Sequence, residues 1–137
     1  MTKRQLLIRN LLLEKRRFEW GTWDCCQFAR ICVQQITGED FGEALPSYDS
    51  EAGAAAIIKD FGGIEEMVTT LTGIKPTDNL RDLNDGDPVL MGLPRVGEAI
   101  GIRCRKGAFA LMNERSERAT IVPNSYIYKG WPLCPVR

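Results

Sequence analysis

The sequence predicts an α+β domain: helices first, then an antiparallel β-sheet meander. Three observations predict it. Cys25, Phe28, Ala29, Cys32, Val33 and Ile36 recur at the spacing of one helical face. Beyond Ile74 the apolar pattern shortens to strict alternation, clearest at Ile100, Ile102 and Cys104. Glycines punctuate the first half where helices should stop, at Gly38, Gly62-Gly63 and Gly73. A chain of 137 residues, 44% hydrophobic, suits one domain with a real core, placed over residues 1–137.

Taken in order, Met1 to Arg17 reads as a first helix with Thr2 as N-cap. Leu6, Leu7 and Leu11 form its apolar side, widened by Ile8, Leu12 and Leu13. Lys15, Arg16 and Arg17 close it with the charge sign its C-terminal dipole prefers. That basic end is either a solvated face or a docking patch for an acidic partner. Trp20-Gly21-Thr22-Trp23 is a turn, and Asp24 can cap the helix that follows, because its carboxylate accepts from the open N–H groups of the first turn. Residues 39–48 read as a loop pinned by Phe41, Leu45 and Tyr48, of the kind that walls a groove. Asp49 or Ser50 caps a third helix, Glu51 to Asp60, with Ala54, Ala55, Ile57 and Ile58 inward. A fourth runs from Ile64 to Leu71.

From residue 76 a polar loop leads to the turn Asp85-Gly86-Asp87 and the apolar run Val89-Leu90-Met91. Strands are predicted at residues 99–104, 108–113, 119–122 and 126–128. Arg105-Lys106-Gly107 forms a hairpin turn, and residues 131–134 a packed tail.

The totals exclude several functions. Lysine plus arginine equals aspartate plus glutamate, 18 each, so no nucleic-acid partner is expected. No apolar run suits a membrane span or a cleavable signal. Five irregularly spaced cysteines, Cys25, Cys26, Cys32, Cys104 and Cys134, read as free thiols in a reducing cytoplasm; no metal or other cofactor is expected. Cys26, Cys32 and Cys104 read as core, while Cys134, between prolines, could face a neighbour.

Cys25 carries the chemical interest. In the first turn of a helix the thiolate is favoured, so its pKa is expected to fall. The equally simple use is as a small buried hydrophobe. The chain contains no histidine, so the usual partner of a thiol nucleophile is missing.

Asp24-Cys25 opening a helix, Gly86-Asp87 entering a sheet, and Ala99-Ile100-Gly101-Ile102 on its second strand together resemble the NlpC-type, papain-like cell-wall cysteine peptidases. The stretch Trp-Gly-Thr-Trp-Asp-Cys-Cys-Gln-Phe-Ala, residues 20–29, and the later Thr-Gly-Glu-Asp are similar to phage and prophage tail proteins of that fold. The resemblance implies that Cys25 holds the nucleophile position beside Asp24, and that Ala99 stands where the histidine should be, with Glu98 just before it. Asn113 or Glu114 would hold the position of the group that orients the base. Trp20 and Trp23 are core anchors or, in this fold, flank the groove and with Glu98 bind a ligand.

A positioned general base contributes roughly 10²–10⁴-fold. A carboxylate with a pKa near 4.3 is a poor substitute toward a thiol near 8.5. The expectation is therefore an inactive NlpC-like domain serving as a tail tip or baseplate hub structural protein. Its partners would be other tail proteins, with peptidoglycan as a further candidate. It would reside in the host cytoplasm during assembly and then in the virion tail. The alternatives are a cysteine amidohydrolase with an unusual or partner-supplied base, and a peptidoglycan-binding module.

Overall fold

The computed structural model describes residues 1–115 and 117–135. Four helices precede a five-stranded antiparallel sheet: α1 (Lys3–Leu13), α2 (Cys25–Thr37), α3 (Glu51–Phe61) and α4 (Ile64–Thr72), then β1 (Pro88–Leu93), β2 (Gly97–Arg105), β3 (Ala108–Leu111), β4 (Thr120–Pro123) and β5 (Ile127–Gly130).

The caps set the helix limits. Thr2 and Gln5 form a reciprocal capping box at α1. Asp24 and Ser50 cap α2 and α3, accepting from Gln27 and Gly53. Gly38, Gly62 and Gly73 end α2, α3 and α4 in the left-handed conformation. The first helix is shorter than the sequence predicts. After Leu13 the chain turns extended at Glu14. Lys15, Arg16 and Arg17 therefore do not load the helix dipole. Instead the Arg16 amide bonds the Glu117 carbonyl at 2.8 Å, and its guanidinium lies 4.6 Å over the Trp23 ring.

The sheet also departs from a simple meander. The first four strands run as one, but the sheet order is β4-β3-β2-β1-β5, so the last strand returns to the far edge beside β1. Only Asn124–Tyr126, one 3-10 turn, connects β4 to β5. In a flat sheet those edges would stand roughly 19 Å apart, at about 4.8 Å per strand. A 3-10 turn rising about 2 Å per residue cannot reach that far, so the sheet curls.

The curl gives two apolar clusters. On the helix side, Phe28, Ala29 and Cys32 of α2 pack with Ile8 and Leu11 of α1, Ile64, Met67 and Val68 of α4, and Ile100 and Ile102 of β2. Inside the curl, Val89, Met91, Ala99, Phe109, Leu111 and Val122 pack with Leu83. Strand alternation sends Ile100 to the first cluster and Ala99 to the second. Helix α3 sits at the margin. No residue in it is fully buried, and Ala55, expected inside, is exposed. Cys26, Cys32, Cys104 and Cys134 are all buried free thiols, so Cys134 belongs to the interior and not to a contact surface.

Candidate functional site

The start of α2 gathers the predicted site residues, and Asp24 is its hub. The side chain is 1% exposed. One carboxylate oxygen, Oδ1, accepts from the Gln27 amide at 2.8 Å and caps the helix. The other, Oδ2, accepts from the Gly21 amide at 2.9 Å and from the Tyr48 hydroxyl at 2.6 Å. Both carboxylate oxygens are thus committed to structural donors. Gly21 has φ +83°, and a Cβ there would lie 1.8 Å from the Tyr48 carbonyl oxygen. The turn is therefore glycine because the 39–49 segment lies directly against it.

The network continues away from the cysteine. Gln27 Nε2 donates to the Tyr48 hydroxyl at 3.3 Å, and Arg30 Nη1 donates to Gln27 Oε1 at 3.2 Å. Arg30 forks onto both oxygens of Asp40, at 2.6 and 2.7 Å. Burial, and then its bond to Asp24, push the Tyr48 hydroxyl pKa well above its ordinary value. The Arg30–Asp40 bond raises the guanidinium and lowers the carboxyl. Sequence reasoning treats Tyr48 only as a pin and does not single out Gln27, Arg30 or Asp40. Asp40-Phe41-Gly42 carries a usable signal, since Asp40 also accepts from the Gly42 amide two residues on, at 3.0 Å, as an Asx turn does.

Cys25 is half-buried at the first position of α2 and touches the cluster inside the curl. Burial pushes its pKa up to about 11; a backbone hydrogen bond from Ile100 opposes this, and the charge of Asp24 adds to it. The expected lowering by the helix start is overridden, because a thiolate packed in apolar atoms beside a carboxylate is worse solvated than one in water.

Ala99 is 4% exposed and pairs with Met91 in the cluster that Cys25 also touches. The position where a histidine is expected is thus filled by packed methyl groups. Glu98, one residue earlier, is exposed on the strand, and its side chain makes no hydrogen bond or ion pair among the described residues. Asn113 Nδ2 donates to the Thr120 hydroxyl at 3.0 Å, and its Oδ1 accepts from the Arg115 amide at 2.7 Å, so it is spent on its own turn. Glu114 is exposed.

The two tryptophans part company. Trp23 is 1% exposed and packs edge-on against Phe28, 5.7 Å between ring centroids, so it is core and not groove wall. Trp20 is half-buried and lines a cavity of about 50 Å³ together with Cys25, Tyr48, Ile57, Met67 and Ile100. Pockets that take drug-sized ligands run roughly 300–1,000 Å³, so this one admits little more than a small aliphatic group. A larger cavity of about 360 Å³, between the ends of α2 and α4 and the C-terminal tail, contains none of the predicted site residues.

Among the described residues no helix is long and apolar enough to cross a membrane, and no cluster of three or more metal-ligating side chains exists. No curated protein matches the chain. The family described as a domain of unknown function (DUF6950) matches residues 8–133, nearly the whole chain, and the protein belongs to that family.

Proposed function

We propose that this protein is a structural or assembly component of a phage tail tip or hub, built on an NlpC-type, papain-like scaffold that has lost its peptidase chemistry. One observation carries the reading. The chain holds no histidine to serve Cys25, the residue in the nucleophile position, and Cys25 is itself half-buried against apolar residues of the sheet. Three further features support it. Asp24 is consumed by three donors, Ala99 is packed apolar, and the cavity beside Cys25 is small and apolar. The four helices preceding an antiparallel sheet, with a cysteine opening α2 and Ala99 on β2, are the arrangement the NlpC resemblance implies. Its partners are then other tail proteins, with peptidoglycan second, met first in the host cytoplasm and later in the virion tail.

The test is direct. Purified protein incubated with sacculi and with cell-wall peptides should release no product, and Cys25→Ser should leave its behaviour unchanged. Hydrolysis abolished by Cys25→Ser would establish the alternative, a cysteine amidohydrolase with an unusual or partner-supplied base. The observation favouring that alternative is the half-exposed position of Cys25 at a helix start. Retention of the intact protein by sacculi without cleavage would favour a peptidoglycan-binding module.

A further inference from the structure

The chain is neutral overall but strongly polarised. Residues 1–17 carry six cations against one acid, and residues 39–66 carry eight acids against one cation, Lys59. Among the described residues no ion pair joins the two segments. The pairs that form are Lys15–Glu117, Arg30–Asp40, Arg103–Asp85 and Lys129–Glu65. Lys3, Arg9, Glu51 and Asp60 are exposed and have no ion partner among the described residues.

Each segment also presents an uncovered helix face. On α1, Leu6 and Leu13 are 48% and 55% exposed. They stand seven residues apart, on one stripe two turns long, with Lys3 and Arg9 beside them. The inward face of the same helix is separately satisfied by Ile8 and Leu11 in the core. On α3, Ala52, Ala55 and Ala56 are exposed on one stripe, flanked by Glu51 and Asp60 at its two ends. Both helices are 11 residues long. A leucine ridge fits a groove of alanines, because small side chains let two helix backbones approach.

We propose that a second copy of this chain docks head-to-tail, seating the outer face of α1 on α3, with Lys3 and Arg9 against Glu51 and Asp60. The donor face and the acceptor face are different surfaces, so the contact is heterologous. Such contacts propagate into rings or open chains and do not stop at a dimer. The contact is small and exposed, which makes it weak and strongly salt-dependent. Lys59 lies on the acceptor face and opposes the docking cations.

Sedimentation velocity over a range of concentrations tests this. At low salt the weight-average mass should climb past that of a dimer, and at about 0.5 M salt, where screening is short-ranged, it should fall back to monomer. Leu6→Glu/Leu13→Glu and Glu51→Lys/Asp60→Lys should each be monomeric alone. An equimolar mixture of the two should form heterodimers and nothing larger, since each variant retains the face the other lacks. Lys59→Glu should strengthen association by several-fold. A monomer at every concentration in low salt, a mass that stops at a dimer, or a mixture that stays monomeric would each overturn the proposal. Circular dichroism of the variants, all changed at exposed positions, separates lost docking from lost fold.

Discussion

Asp24 and Asp87 are both buried carboxylates placed where a turn enters a regular element, and each lies near a glycine in the left-handed region, Gly21 at φ +83° and Gly86 at φ +96°. Their surroundings differ. Asp87 is 0% exposed and accepts from two backbone amides, Asn84 at 2.7 Å and Cys134 at 2.6 Å, so it bolts the C-terminal tail to the entrance of β1. Asp24 accepts from two amides and one side-chain hydroxyl, that of Tyr48, at the edge of a cavity. One carboxylate is a joint closed in every direction. The other holds a loop against a helix start beside the one half-exposed thiol. The same residue type, spent on the same local chemistry, thus marks a structural bolt at one end and a loop-to-helix tie at the edge of a cavity at the other.

Removing the bolt should have the largest effect. Asp87→Ala leaves one buried and one part-buried amide without an acceptor and should cost about 2–5 kcal/mol in chemical denaturation. A loss below about 1 kcal/mol would mean that water replaces the carboxylate. Gly21→Ala should follow, at about 2–3 kcal/mol. It forces a side chain into the left-handed region and against the Tyr48 carbonyl. It should also raise hydrogen exchange across residues 39–49 more than elsewhere, whereas Asp87→Ala should act on the tail.

The buried Asp87 carboxyl also responds to pH. Burial raises the Asp87 pKa above the ordinary carboxylate value of 3.8, with the Asn84 and Cys134 amides opposing. A raised folded pKa means the folded state holds this proton more tightly than the unfolded one. The resulting stabilisation is full below the ordinary value and is lost as pH rises through the folded value. Denaturation midpoints of the wild type and Asp87→Asn, compared across acid pH, should therefore diverge in that window, with the wild type losing this contribution as pH increases. A wild-type contribution that grew with pH would reverse the assignment.

The smallest stability effect belongs to Tyr48→Phe. It deletes one donor to Asp24 and should cost about 0.5–1.5 kcal/mol. A double-mutant cycle with Asp24→Asn should give a coupling of similar size, and zero coupling would detach the loop from the helix start.

Much of this was legible in the sequence because it is local. Thr2 with Gln5, Asp24, Ser50, Gly38 and Gly73 announce helix limits within three or four residues of themselves, and alternation at Ile100, Ile102 and Cys104 announces β2. What was not legible depends on long reach. The pairing of β5 with β1 joins four-residue and six-residue strands across the curl. The bond from Tyr48 to Asp24 spans 24 positions. The raised pKa of Cys25 has the same long-range origin. The helix start is visible in sequence and favours the thiolate, but the burial that outweighs it comes from residues brought in from α3, α4 and β2. The overlong α1 fails differently, since the tertiary contacts of Arg16 with Glu117 and Trp23 replace the last helical turn.

The central claim, that Cys25 occupies a nucleophile's position without a nucleophile's reactivity, is tested most directly by its alkylation rate as a function of pH, read by peptide mass spectrometry. The account predicts slow labelling at neutral pH and a rate that rises about tenfold per pH unit toward an inflection near the thiol's value of about 11. A rate already on its plateau at neutral pH would contradict it.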